Sequence, residues 1–227
     1  MAKYTKENRP PPTPKQPKLW DPPPEPIQGD KKENDTYAAV GRALSMWEEF
    51  EHSFATLFAD LLGLHGEAMP VMRAYGAVLT FRGRLEMVEA AREALFFEYP
   101  NERLAKRTKD LLEMATGLSA RRNEVAHGIV RNIHVQGPGV AIPNGAMYRP
   151  LKRWGFGLVP SMYATNKTTL AVGETFLSPT QTKPKYTYTS AEIIGFTGKF
   201  ATLNANTIEA AQYVRDHWDE VTTSASS

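Results

Sequence analysis

The stretch NERLAKRTKDLLEMATGLSARRNEVAHGIV, residues 101–130, decides how this chain folds. Leu104, Leu111, Leu118 and Val125 recur every seven residues. On a helix of about 3.6 residues per turn, that spacing lays one apolar stripe along one face. Asn101 has the side chain of an N-cap, and the pattern predicts a helix from there to about Val130.

The same periodicity extends outward in both directions. Val40, Leu44, Trp47, Phe50, Phe54, Leu57 and Leu61 follow at three- and four-residue steps, predicting a helix from Asp35 to near Gly63. A second helix is expected as one unit from Met69 to Tyr99, with Pro70 in its first turn and Pro100 as its stop. Thr189 and Glu192 have capping-box spacing, and Ile193, Phe196, Phe200, Leu203, Val214 and Trp218 continue at helical steps. A long final helix follows.

Between Arg131 and Thr189 the chain turns to Gly, Pro, Thr and aromatics, which reads as short strands and loops. The expected fold is therefore mainly α. It is a four-helix bundle with a small irregular β-containing insertion, at about 132–189, between the third and fourth helices. Residues 1–35 carry nine prolines and little apolar surface beyond Leu19-Trp20, and are expected to be a disordered Pro-rich segment. One domain is expected over 36–221, with a polar tail at 222–227.

Composition narrows the chemistry. The 227 residues carry a formal net charge of only +2, so any nucleic-acid binding must come from a local patch. There is no cysteine, which excludes disulfides, thiolate nucleophiles and cysteine-ligated metals. That suits a reducing compartment, and a cytoplasmic location is expected. Neither an apolar signal segment nor a membrane-length apolar run is present in the sequence, so no membrane association is expected.

The candidate chemistry lies late in the third helix, at Arg122-Asn123-Glu124-Val125-Ala126-His127-Gly128. Arg122 sits at the edge of the apolar stripe, where a charge breaks the pattern. It either enters a site or snorkels out to a carboxylate, Glu124 or one on a neighbouring helix. His127 lies opposite the stripe, on a face shared with Asn123, Ala120 and Thr116. That face either meets solvent or admits a second helix closely. Arg122 and His127 are about 140° apart around the axis and roughly 7.5 Å apart along it, so one helix does not aim both at a single phosphate.

An arginine followed by a polar residue, with a histidine after four intervening positions, resembles the signature of the HEPN superfamily. The resemblance covers roughly Asp35 to Val130 plus the last helix, and leaves out the insertion and the Pro-rich head. It implies a metal-independent endoribonuclease with no cofactor, in which the ribose 2′-OH attacks the adjacent phosphorus to leave a 2′,3′-cyclic phosphate. His127 would move the proton, Arg122 would hold the phosphate in a bidentate fork, and Asn123 would orient the imidazole or contact the backbone. Arg121 fits a longer allowed spacing. Arg121, Arg131 and Arg107 are candidate RNA-binding residues, while Lys106 and Lys109 read as a solvated face. The implied partners are RNA, a second copy of the chain forming a composite cleft, and a cognate antitoxin or other protein, in a defence or toxin–antitoxin setting.

Other chemistries fit less well. The five histidines contain no pair at short helical ligand spacing, so no metal is expected. Neither a Gly-x-Ser-x-Gly elbow nor a glycine-rich phosphate loop is present. Tyr148, Trp154, Phe156, Tyr163, Tyr186 and Tyr188 either stack on unpaired bases or cover a small core. The rival reading is a non-catalytic HEPN-like module for nucleotide binding or protein interaction. A third is partner recruitment through the Pro-rich head.

Overall fold

The computed structural model describes residues 17–65, 69–136, 140–141, 147–148, 151–161, 175–177 and 185–223. Six helices and five strands follow in chain order among them: α1 (Glu33–Leu61), α2 (Met69–Ala77), α3 (Phe81–Glu98), α4 (Glu102–His127), β1 (Gly128–Gln136), β2 (Val140–Ala141), β3 (Met147–Tyr148), β4 (Leu151–Pro160), β5 (Thr175–Leu177), α5 (Ser190–Asp216) and α6 (Trp218–Thr223). The protein is mainly helical, with an antiparallel strand pair set between α4 and α5. None of the helices described is long and apolar enough to cross a membrane.

The core forms where the apolar stripes converge. The pairing of α1 with α5 is the most extensive, and α1 also packs on α3 and α4. Trp47, Phe50, Phe54, Phe196 and Phe200 are fully buried there. Trp47 meets Phe50 and Phe200 edge-on at 4.9 and 5.2 Å between ring centres. Such contacts add about 0.5–1.5 kcal/mol each beyond the area they bury. Leu104, Leu111, Leu118 and Val125 are all buried, so the heptad stripe does face inward. Asn101 caps α4 by accepting from the Leu104 amide at 3.0 Å.

Several boundaries differ from expectation, among them the final helix, which ends at Asp216 before Trp218 starts α6. The single helix expected over 69–99 is two, α2 and α3. Thr80 begins the second by accepting from the Gly83 amide at 3.1 Å, and Arg84 Nε donates to the Val78 carbonyl at 2.9 Å, satisfying the end of α2. The guanidinium of Arg84 also pairs with buried Glu51, which accepts from Trp47 Nε1 at 2.7 Å. The third expected helix stops at His127 rather than Val130, because Gly128 turns extended and its backbone packs against Leu158. Consequently the β-containing region starts at Gly128, earlier than 132.

The first helix begins at Glu33, and residues 17–32 are built into the fold. Asp30 accepts from the Thr36 hydroxyl at 2.6 Å and from the Ser190 amide and hydroxyl at 2.7 and 2.8 Å, so it ties the starts of α1 and α5. Trp154 Nε1 donates to the Ile27 carbonyl at 3.0 Å. The expected disorder of residues 1–16 and the polar tail at 224–227 fall outside the described residues, as do Met162-Tyr163 and Arg149. Thr222 and Thr223 belong to α6.

β1 pairs antiparallel with β4 and parallel with β5, in the order β4-β1-β5, while β2 pairs with β3. Register shifts between Ile133 and His134, leaving Trp154 as the extra residue of β4. Gly155 beside it has φ +125°, a backbone region glycine adopts without strain. Because β1 continues directly from α4, the sheet is fixed to the end of the helix that carries the candidate motif.

Candidate functional site

Arg122 and Asn123 open into a cavity of about 650 Å³ between α3 and α4. The guanidinium Nη1 of Arg122 donates to Asn123 Oδ1 at 3.3 Å, and Nη2 lies 3.6 Å from Glu48 Oε1 on α1. Glu48 is largely exposed, so this pair is weak and leaves Arg122 able to exchange partners. The Nε of Arg122 is buried and has no hydrogen-bond partner among the described residues. Of the two sequence alternatives for this side chain, it takes both: it reaches a carboxylate of a neighbouring helix and lines a cavity.

The rest of α4 explains the shape of that cavity. Thr116 and Ser119 line it two turns and one turn before Asn123, and each hydroxyl donates backward along its own helix, to Leu112 O at 2.8 Å and Thr116 O at 2.7 Å. Their oxygens therefore face the groove as acceptors. Leu79, Phe81 and Leu85 form the opposite, apolar wall. Leu79 is 93% exposed.

His127 ends α4 as an exposed residue, one turn beyond Asn123 on the same side, and does not line this cavity. A single chain thus brings Arg122 and Asn123 together at the cavity and leaves His127 outside it, at the helix terminus.

Arg121 is placed differently. It is largely buried, pairs with Glu124 Oε2 at 2.7 Å and donates to the Tyr188 hydroxyl at 3.0 Å. Tyr188 in turn donates to the same Glu124 carboxylate at 2.7 Å, and Tyr186 donates to the Glu124 carbonyl at 3.0 Å. Burial, then the Glu124 charge, pushes the Tyr186 hydroxyl up to about 12 and raises Tyr188 as well. Lys199 of α5 is lowered, first by burial and then by Arg121. This network clamps the segment before α5 onto the last turns of α4, and so orients the backbone that carries His127. Within it Tyr186 and Tyr188 stack at 5.0 Å, and Tyr188 packs edge-on against Phe196. They cover core. Trp154 and Phe156 likewise pack within the protein, Trp154 over Gly29, whereas Tyr163 and the side chain of Tyr148 lie outside the described residues.

The other basic candidates are spread out. Arg107 is 15 residues earlier on α4, roughly 22 Å along the axis. It pairs with Glu209 at 2.6 Å and lines a second cavity of about 350 Å³ with Arg103, Lys106 and Asn206. Lys106 pairs with Asp110 at 2.7 Å, both well exposed. Arg131 on β1 lies near Tyr37 of α1 and moderates the rise that burial and Glu33 impose on that hydroxyl. Among the described residues no group of three or more His, Asp or Glu is arranged to hold a metal ion.

Sequence reasoning missed the α3 side of the groove, and it allowed for a neighbouring-helix carboxylate at Arg122 without identifying Glu48. It also missed Trp20, whose indole lies on Gly117 of α4 while Lys18 pairs with Glu113 at 3.0 Å. A glycine in mid-helix was the available signal, since it costs about 1 kcal/mol relative to alanine unless something approaches closely. The face of α4 on which a second helix was expected to approach is therefore covered at its Gly117 edge by the chain's own N-terminal strap. It remains open towards Asn123 and His127.

No family model, curated protein or solved structure matches the chain.

Proposed function

We propose that this protein is a metal-independent endoribonuclease of HEPN type, acting through Arg122 and His127. The observation that carries the reading is the groove itself: Arg122, with a buried Nε that has no partner among the described residues, and Asn123 line a nucleotide-sized cavity, and exposed His127 lies one turn further along the same helix. In the reaction the ribose 2′-OH attacks phosphorus, the bond to the 5′ oxygen breaks, and a 2′,3′-cyclic phosphate and a 5′-hydroxyl result. His127 accepts the 2′-OH proton. A second copy of the chain, meeting the first at the open end of α4, completes the cleft, and the leaving oxygen takes its proton from water while His127 returns its own to solvent. Arg122 neutralises the charge that builds on the phosphate oxygens. Arg121 is held by Glu124 and Tyr188, and Arg107 lies roughly 22 Å away along α4, so the phosphate role concentrates on Arg122. The setting proposed is cytoplasmic, in defence or toxin–antitoxin action with a cognate protein partner.

One observation favours a second reading, a non-catalytic nucleotide-binding module: the cavity is lined by Arg122 and Asn123 and not by His127. The two readings separate on Arg122→Lys. An ammonium keeps the charge and loses the planar fork. The nuclease reading predicts that this variant loses most RNA cleavage while binding RNA within a few-fold of wild type. Equal cleavage by both proteins would overturn it.

A further inference from the structure

We propose that the groove between α3 and α4 is a base-specific pocket that takes one unpaired guanine nucleotide, with its phosphate at Arg122 and its base edge at Glu89. This inference rests on the nuclease reading for its biological meaning, but the pocket stands on its own geometry.

α3 and α4 are joined only by Tyr99–Asn101 and pack side by side, so they run antiparallel. The start of α3 is then level with about Ser119, roughly two turns before the end of α4. The groove consequently has Arg122 towards one end and Glu89 towards the other, with Arg82 and Glu86 between them. Arg82 Nε is held by Glu86 at 2.9 Å, which cancels the pair in the middle and leaves Arg122 and Glu89 as the charges at the two ends. The apolar wall of Leu79, Phe81 and Leu85 lies between them.

A nucleotide has the same layout: an anionic phosphate, then a flat apolar face, then a hydrogen-bonding edge. The volume of about 650 Å³ is ample for one. Leu79, almost wholly in water, gains a surface to cover when a base lies on it. Guanine is the base selected, because its N1–H and N2–H lie side by side and match the two oxygens of a carboxylate. The acceptor oxygens of Thr116 and Ser119 add to that preference. Adenine and the pyrimidines do not offer two adjacent donors on that edge.

The test is calorimetric titration of the full chain with guanosine and adenosine 5′-monophosphates, which contain no bond the proposed nuclease would cut. The guanine nucleotide should bind about tenfold more tightly, the value of one good bidentate base contact. Glu89→Gln should bring the two nucleotides to about the same affinity. Leu79→Ser should weaken both about fivefold, through lost apolar contact. Both positions are exposed, so neither change perturbs the core. No saturation by the guanine nucleotide up to about 10 mM, or wild-type affinity and preference in both variants, would overturn the pocket. Cleavage of RNA without nucleotide binding overturns the pocket alone. Guanine-selective binding without cleavage supports the pocket and removes the nuclease reading.

Discussion

The indole of Trp20 occupies the space that a side chain on Gly117 would need. Two segments almost a hundred residues apart thereby meet on the helix that carries the candidate site. Lys18 lies over the Trp20 ring at 4.8 Å and pairs with Glu113, one turn from Gly117, so the strap is held by stacking and charge together.

Gly117→Ala should therefore release the strap. The substitution gains about 1 kcal/mol of helix propensity while displacing the indole, so global stability should change by less than about 1 kcal/mol. Trypsin should cut at Lys18 markedly faster than in wild type, and Trp20→Ala should reproduce the effect. An unchanged cleavage rate in both variants would show that the strap is anchored elsewhere.

Glu124→Leu should cost about 3 kcal/mol in chemical denaturation, because Arg121 is left buried without its carboxylate. The pair Arg121→Met with Glu124→Leu should recover most of that loss. Additive losses in the double variant would mean that the two residues stabilise the fold independently.

Alkaline pH should loosen the same region. Tyr186 ionises near 10 in the unfolded chain and is raised to about 12 in the fold. Its contribution is present in full below pH 10 and is lost as pH rises from there through about 12, since the unfolded state gives up its proton first. Tyr186→Phe should flatten the stability curve over that window, read as melting temperature against pH. An equally steep fall in the variant would assign the loss to other groups.

A composite site predicts complementation. Arg122→Ala and His127→Ala chains, each inactive alone, should recover up to about a quarter of wild-type cleavage when mixed, if random pairing leaves one intact Arg122 and one intact His127 in the shared cleft. Absence of any recovery, with exchange of differently tagged chains shown by pull-down, would mean that one Arg122 and one His127 contributed by two chains do not make a working cleft.

The helices were legible wherever an apolar period ran unbroken, as at Leu104, Leu111, Leu118 and Val125. The break between α2 and α3 was not, because Val71, Tyr75, Val78, Phe81 and Leu85 keep helical spacing straight across it. What divides them is Arg84 satisfying Val78, a side-chain act that periodicity does not record. The end of α4 was hidden for a similar reason, since Ile129 and Val130 continue the apolar pattern into β1. The order of residues 17–32 depends on Asp30 reaching Ser190, 160 positions away, and on Trp20 reaching Gly117. Proline density suggested the opposite. At the candidate site, Arg122, Asn123 and His127 could be picked out as residue types on one helix. The α3 wall and Glu48 could not, because they come from elements whose packing sets the groove.

Catalysis by His127 is read out by incubating RNA with the purified protein in excess EDTA, beside His127→Ala, and analysing the ends of any fragments. The account predicts cleavage by the wild type alone, leaving 2′,3′-cyclic phosphate and 5′-hydroxyl ends. Cleavage by His127→Ala at the wild-type rate, or wild-type products ending in 3′-hydroxyls, would contradict it.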